Sequence, residues 1–122
     1  MSAPAPFARL RLVLSPGNLI GPGKADLLQG VAETGSIAAA GRRMNMSYKR
    51  AWRLVDTMNA CFGRPLVASA KGGRDGGGAQ LTDLGREVLD LYRRMQANAD
   101  AAIAADLARL ARLAGQDPAP ID

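Results

Sequence analysis

The longest pattern in this sequence is a helical repeat that is too long for the folded body of so short a chain. From Thr82 to about Ala114, apolar residues recur at steps of three and four: Leu84, Val88, Leu91, Tyr92, Met95, Ala99, Ile103, Leu107 and Leu110. An unbroken helix of this length would span about 50 Å, whereas a compact chain of 122 residues has a radius of gyration of about 14 Å. The helix must therefore project, bend, or break near residues 96–102.

A projecting helix of this kind exposes an apolar stripe that needs a partner. A second copy of the same chain is the simplest partner, because two identical stripes can cover each other around a two-fold axis. We therefore predict a dimer in which residues 82–114 form the dimerisation helix. A bend that folds the stripe back onto its own chain is the alternative.

The rest of the chain fits one domain. Hydrophobic residues make up 48% and charged residues 22% of the sequence, which are values typical of a folded globular protein. The ends are rich in proline and small or polar residues, so we expect disordered tails at residues 1–6 and 115–122. The predicted folded domain therefore covers residues 7–114.

Positive charge is concentrated in one segment. Residues 42–78 contain eight basic and two acidic residues, a net charge of +6, while the remainder contains eight basic and nine acidic residues, a net charge of −1. A clustered surplus of this kind indicates a surface that binds an anionic partner.

The same composition excludes most catalytic chemistry. A single cysteine cannot form an internal disulfide or a multi-cysteine metal site, and the absence of histidine removes the commonest general base and metal ligand. No apolar run is long enough to span a membrane, and residues 1–10 lack the apolar core of a signal peptide. We predict a cytoplasmic protein that is not an enzyme and holds no metal.

Local signals divide the first half of the chain into short elements. Residues 7–14 alternate between leucine and arginine and predict a half-buried strand with Leu10, Leu12 and Leu14 on its inner face. A turn-rich loop, SPGNLIGPG, follows. Pro22 then begins a helix that ends before Gly35, and Ser36 is the expected N-cap of a second, short helix. Three residues, Asn45 to Ser47, connect it to a third.

The third helix has two opposite faces. On a helical wheel, one arc is apolar and contains Tyr48, Ala51, Trp52, Leu54, Val55, Met58, Asn59, Cys61 and Phe62. The opposite arc contains Lys49, Arg50, Arg53, Asp56, Thr57 and Ala60. We interpret Tyr48 and Trp52 as core residues and Cys61 as a buried, unreactive thiol. A merely solvated surface would also explain three basic residues taken alone.

Two short helices, a tight turn and a helix with a cationic outer face predict a helix-turn-helix. The next residues predict a hairpin, with strands at 65–70 and 79–82 joined by the loop KGGRDGGG. A hairpin in this position is a wing. Five glycines between positions 72 and 78, with Lys71 and Arg74 beside them, would let the loop lie against a phosphate backbone. A flexible connector is the alternative.

These residues resemble the N-terminal DNA-binding domain of the ModE family of molybdate-dependent transcriptional regulators. The resemblance lies in GSIAAAGRRMNMSYKRAWRLVDTMN and in GGRDGGGAQLTDLGREVLDLY, and it covers about Leu10 to Met95. The small-residue second helix also occurs in LysR-type regulators. The combination of SYK and AW with the glycine-rich wing is specific to ModE-like proteins.

The resemblance implies a winged helix-turn-helix, mainly α with a small β wing, that binds double-stranded DNA as a homodimer. It implies that the third helix enters the major groove and that dimers join through the first strand and the long helix. We predict DNA contacts at Arg43, Ser47, Tyr48, Lys49, Arg50, Arg53, Thr57, Lys71, Gly72, Gly73 and Arg74. We predict dimer contacts at Leu12, Leu91, Met95, Ile103, Leu107 and Leu110.

Members of the ModE family continue into a C-terminal molybdate-binding region, so we expect no cofactor in residues 1–122 and no direct response of DNA binding to molybdate. Two other functions remain open from the sequence. One is a DNA-binding half whose effector domain is on another chain. The other is a basic module that binds an acidic protein, although the cationic arc of the third helix carries only Asp56 as an acid.

Overall fold

The described part of the chain forms four helices and two β-hairpins. A computed structural model describes residues 6–70 and 78–115. In chain order the elements are β1 (Leu12–Ser15), β2 (Asn18–Ile20), α1 (Pro22–Thr34), α2 (Ile37–Arg43), α3 (Tyr48–Phe62), β3 (Val67–Ala70), β4 (Gly78–Leu81) and α4 (Asp83–Leu113). The predicted fold class is confirmed: α2 and α3 form the helix-turn-helix, β3 and β4 the wing, and α4 the long helix. The tails predicted at 1–6 and 115–122 lie outside the described residues except for Pro6 and Gly115, and so do residues 71–77 of the predicted wing loop.

The boundaries of the first three helices follow from local signals. Pro22 occupies the first turn of α1, and Gly35 ends that helix in the left-handed conformation at φ 72°. The hydroxyls of Ser36 and Ser47 accept hydrogen bonds from the backbone N–H groups of Ala39 and Arg50, which caps α2 and α3. The predicted cap at Ser36 is therefore confirmed.

Small residues let the helices of the helix-turn-helix approach closely. A Cβ atom at Gly30 in α1 would lie 2.8 Å from the Cβ of Ala40 in α2. One at Gly41 would lie 3.1 Å from the Cβ of Ala51 in α3. The turn between α2 and α3 places Asn45 at φ 56°, a left-handed conformation that asparagine tolerates better than most residues. The orientation of α3 therefore depends on residues without bulky side chains.

The core is aliphatic apart from Tyr92. Its fully buried members come from all four of these helices and the segment before β3; the largest are Tyr92, Leu27, Leu28, Met58, Leu66, Val31 and Val55. Asn59, the polar residue on the apolar arc of α3, accepts a 2.8 Å hydrogen bond from the N–H of Leu66 through Oδ1. That bond satisfies a backbone donor where the chain leaves α3, which is why a polar residue is tolerated there.

The N-terminal strand differs from the prediction. It begins at Leu12 instead of Phe7, and it pairs with β2, which lies in the segment predicted as a loop. Gly17 allows the tight reversal at φ 82°, and the register shifts between Val13 and Ser15. Leu12 packs against the core, whereas Leu14 is 53% exposed although it lines the same groove beside α4. Leu14 is therefore not buried as a residue of the inner face would be.

Helix α4 is continuous over 31 residues, so the break considered near residues 96–102 does not occur. Its first half packs on the domain through Gly85, Leu89 and Tyr92, which are all buried. From Ala97 to Leu113, Ala111 is the only buried residue. The second half of α4 is therefore mostly solvent-exposed, as the length of the apolar pattern predicted.

Side-chain hydrogen bonds attach the first half of α4 to the rest of the fold. The Tyr92 hydroxyl donates to the carbonyl oxygen of Leu10 at 2.6 Å, and burial raises the pKa of this phenol. Arg93 donates to Gln29 at 2.6 Å and forms a 2.9 Å ion pair with Asp26, both on α1. Helix α4 is thereby held against both the N-terminal segment and α1.

No helix among the described residues is both long and apolar enough to cross a membrane.

The start of α4 makes the tightest contact in the fold. Thr82 caps the helix by accepting from the N–H of Gly85, and its own hydroxyl donates to the carbonyl oxygen of Pro65 at 2.7 Å. A Cβ atom at Gly85 would collide with the carbonyl oxygen of Leu66. Only glycine fits at this position without a backbone shift.

We predict that Gly85→Ala lowers the free energy of unfolding by about 2 kcal/mol, because the added methyl group forces α4 away from Leu66. Gly23→Ala is the matched control, since a Cβ there meets nothing within 4 Å; it should be neutral or slightly stabilising. Urea denaturation followed by circular dichroism measures both. Equal stability of the two variants would contradict the tight contact.

Candidate nucleic-acid interface

The cationic arc of α3 faces solvent. Lys49, Arg50 and Arg53 are exposed, and Ala51, Val55 and Met58 on the opposite side are buried in the core. Anchoring one face of an amphipathic helix necessarily turns the other face outward. The structure therefore presents three flexible basic side chains on one convex ridge, which we call the cationic face.

Two of the predicted contact residues have hydroxyls already used within the helix. Ser47 Oγ accepts the N-capping hydrogen bond from Arg50 at 3.1 Å. Thr57 Oγ1 donates to the carbonyl oxygen of Arg53 at 2.9 Å. Both residues are exposed, but their first role is to stabilise α3 and to hold the backbone beneath Arg50 and Arg53.

Arg43, at the end of α2, is engaged in an ion pair. Its Nη2 donates to Oε1 of Glu33 at 2.7 Å, and the other carboxylate oxygen of Glu33 accepts from Gln29 at 3.1 Å. The hydrogen bond from Arg43, followed by that from Gln29, lowers the pKa of the Glu33 carboxyl. Because a lowered pKa keeps the carboxylate charged, the pair persists at neutral pH and is lost only as the pH falls through that lowered value. Arg43 is therefore turned toward α1.

Tyr48 and Trp52 are not core residues, and that interpretation was wrong. Tyr48 is 57% and Trp52 37% exposed, and neither belongs to the buried cluster. Their ring centroids are 6.3 Å apart in an edge-to-face arrangement. Both line an open cleft of about 350 Å³ between the helix-turn-helix and the wing, together with Arg42, Ala68, Ser69 and Gly78. We call it the aromatic cleft.

The wing is fixed against the helix-turn-helix at its base. β3 and β4 pair antiparallel from Val67 with Leu81 to Ala70 with Gly78. The N–H of Ala79 donates to the carbonyl oxygen of Gly35, at the turn between α1 and α2, at 2.9 Å. The predicted contacts at Lys71, Gly72, Gly73 and Arg74 lie outside the described residues, but the strands that carry them end beside the aromatic cleft.

This arrangement of helices and wing matches a known protein family. A family model of bacterial regulatory helix-turn-helix proteins of the lysR family matches residues 24–86, from α1 to the start of α4. The chain belongs to this family. Among solved structures, a CbnR DNA-binding domain in complex with DNA is similar with a TM-score of 0.53 and 28% identity, covering 73% of this chain and 94% of that one.

Within the lysR-family fold, the domain is of the ModE type. The molybdenum transport protein ModE of Azotobacter vinelandii is 37% identical over 117 residues, which are 96% of this chain and 43% of that protein. The molybdenum-pterin-binding protein MopA of Rhodobacter capsulatus is 40% identical over 83 residues, which are 68% of this chain and 31% of that protein. The chain thus spans less than half the length of these relatives.

A second surface of this ModE-type domain is apolar. A groove of about 130 Å³ lies between the N-terminal hairpin and α4, lined among others by Leu12, Leu14, Phe62, Val88, Leu91 and Met95. Three of these are predicted dimer contacts. Farther along α4, the other three predicted contacts, Ile103, Leu107 and Leu110, are half-buried or exposed. The fold therefore brings Leu12, Leu91 and Met95 to one groove, and leaves the other three predicted dimer residues beyond it on α4.

The structure also adjusts the set of candidate residues. Arg42 and Trp52 line the aromatic cleft but were not among the predicted contacts. The sequence signal for Trp52 was its position one helical turn after Tyr48, at the border of the cationic arc. The signal for Arg42 was its place in the basic segment 42–78. Cys61 is half-buried, so its predicted complete burial was wrong. Among residues 6–70 and 78–115, no group of three metal-binding side chains comes together.

Proposed function

We propose that this chain binds double-stranded DNA sequence-specifically, as a dimer, and regulates transcription in the manner that the names of its ModE relatives indicate. The observation that carries the proposal is the cationic face of α3, which projects from a helix-turn-helix with a rigidly packed opposite side. An exposed helix of this kind matches the width of the major groove, and arginine side chains pair with guanine through two parallel hydrogen bonds.

In this proposal the contact residues divide into two roles. Arg50 and Arg53 lie on the exposed ridge of α3 and reach base edges in the groove. Lys49 and the wing residues Lys71 and Arg74 contact phosphates, which position the protein without reading sequence. Ser47 and Tyr48, at the start of α3, lie where the helix meets the edge of the groove.

In a dimer, the second copy would contact a second half-site on the DNA. Two copies that join through the apolar groove and α4 would carry their α3 helices into successive major grooves, about 34 Å or a multiple of that distance apart. The exposed apolar residues on α4, including Leu110 and Leu113, support this part of the proposal, because a solvent-exposed stripe is stabilised when a second copy covers it. The expected indifference of DNA binding to molybdate stays a prediction.

The base-reading role is tested by Arg50→Ala and Arg53→Ala. We expect each variant to lose about 1–3 kcal/mol of affinity for a duplex that the protein selects from a random pool, because a bidentate base contact is removed. Binding to unselected duplex should fall much less. Arg64→Ala is the charge-matched control just beyond α3, and it should weaken both duplexes equally. Unchanged affinity of both α3 variants for the selected duplex would refute the assignment.

The ion pair between Arg43 and Glu33 predicts how a change of charge affects the affinity for DNA. Glu33→Gln releases Arg43 and removes a negative charge near the proposed phosphate path, so affinity for both duplexes should rise about two- to fivefold at low salt. Glu87→Gln makes the same change in net charge on the exposed side of α4 and is the control. Fluorescence anisotropy at several salt concentrations measures both. An equal rise in the two variants would show that only net charge matters and that Arg43 is not a contact.

The dimer is tested by the double variant Leu91→Ser, Met95→Ser. These side chains are 38% and 39% exposed in one copy, so the fold should survive the change. Losing two apolar contacts should raise the dimer dissociation constant by at least about tenfold. Val13→Ser, at an exposed position outside the groove, is the control. Sedimentation equilibrium measures association, and a monomeric parent protein at micromolar concentration would sink the dimer proposal.

A further inference from the structure

The aromatic cleft has features that packing does not explain. Trp52 is the chain's only tryptophan, and it leaves more than a third of its surface in water. Tyr48 is more exposed still, and the two rings form one wall of the cleft. The wing contributes Ala68, Ser69 and Gly78 to the lining, which offer small side chains and backbone. A cleft lined by aromatic rings and small residues fits a small, partly apolar group.

Charge around the cleft shows which kind of group it would accept. Arg42 lines the cleft and is exposed. Among the described residues, ion pairs join Arg43 to Glu33 and Arg93 to Asp26, and none of them involves Arg42. Lys49 follows Tyr48 directly and begins the cationic face. The cleft therefore offers an apolar wall with a cation at its edge, which complements a sugar that carries a phosphate.

The position of the cleft supports the same occupant. It lies between the helix that would enter the major groove and the hairpin that would lie beside it. A helix that enters the major groove is flanked by the sugar–phosphate strands that border the groove, so a cleft beside α3 would face one of these strands. The cleft is thus continuous with the proposed interface and lies on the path of the backbone, not of the base edges.

We propose that the aromatic cleft seats the sugar–phosphate backbone of one DNA strand. Trp52 and Tyr48 pack against a deoxyribose, and the Arg42 guanidinium donates to the adjoining phosphate. This deepens the proposed function and rests on it: it adds Trp52 and Arg42 to the DNA-contacting residues and gives them a sequence-independent role. The two rings border the cationic face, so they set how far the Arg50 and Arg53 side chains enter the groove.

Because Trp52 is the only tryptophan, its fluorescence reports on the cleft alone. Quenching of the parent protein by acrylamide should fall about twofold or more when either selected or unselected duplex is bound, since a ring packed on a sugar loses solvent access. The control is the double variant Phe7→Trp, Trp52→Phe, which moves the only tryptophan to an exposed position in the N-terminal segment. Its quenching should not change on binding.

Two variants separate a backbone contact from a base contact. Arg42→Ala should weaken both duplexes by the same factor, about three- to tenfold, and reduce the slope of log affinity against log salt by about one. Trp52→Ala should also weaken both equally, and Trp52→Phe should restore most of the loss. The ratio of selected to unselected affinity should stay constant. Circular dichroism confirms that each variant is folded.

The outcomes distinguish this inference from the function on which it rests. If the protein binds no duplex, the proposed function itself fails. If it binds duplex but acrylamide quenches Trp52 as before, the cleft is empty in the complex and the inference is wrong. If Trp52→Ala removes the preference for the selected duplex while leaving unselected binding unchanged, the cleft reads bases, and the backbone assignment is overturned.

Discussion

The backbone of Leu66 joins the parts of this molecule that must keep a fixed geometry. Its N–H donates to Asn59 at the end of α3, and its carbonyl oxygen accepts from the N–H of Thr82 at the start of α4. The same carbonyl oxygen faces Gly85, where no side chain could fit. The Leu66 side chain is fully buried, so these bonds form away from water and their loss would leave backbone groups unsatisfied. Helix α3, the wing and the start of the long helix are therefore joined through the backbone of a single residue.

This constraint would allow one domain to support both of the proposed interfaces. The cationic face of α3 is useful only if the helix cannot rotate, because a rotation of one residue would turn Arg50 and Arg53 toward different groups. The core fixes that rotation through Ala51, Val55 and Met58. The wing is tied to the same frame at Ala79, and α4 at Tyr92 and Arg93. A dimer formed through α4 would therefore hold both recognition helices at a set spacing.

The two proposed interfaces would use different physical forces. The cationic face is basic, so binding to phosphate there would weaken with salt. The groove beside Leu91 and Met95 is apolar, so association there would depend on the area removed from water and would be little affected by salt. The aromatic cleft combines both kinds of surface, because its rings are apolar and Arg42 supplies charge.

Signals that act within a few residues were readable from the sequence. The cap at Ser36, the stop at Gly35, the segregation of Lys49, Arg50 and Arg53, and the over-long helix depend on neighbours no more than about one turn away. The helix-turn-helix with its wing could therefore be predicted, as could the cationic side of α3. The short strand β2 was harder to predict. It has only three residues, which are too few to show alternation among the turn residues around it.

Exposure was decided only by tertiary structure, because it depends on residues far along the chain. A helical wheel gives the angle of Tyr48 and Trp52 but not what lies opposite them; the wing stands off and leaves a cleft there. Arg43 was readable as a basic residue, yet its ion pair depends on Glu33, ten positions earlier on another helix. Leu14 was predicted on the inner face, yet it is 53% exposed because the groove that it lines beside α4 is open. The sequence alone determined the helices, the wing hairpin and the sign of their charge. Long-range packing decided which side chains remain exposed.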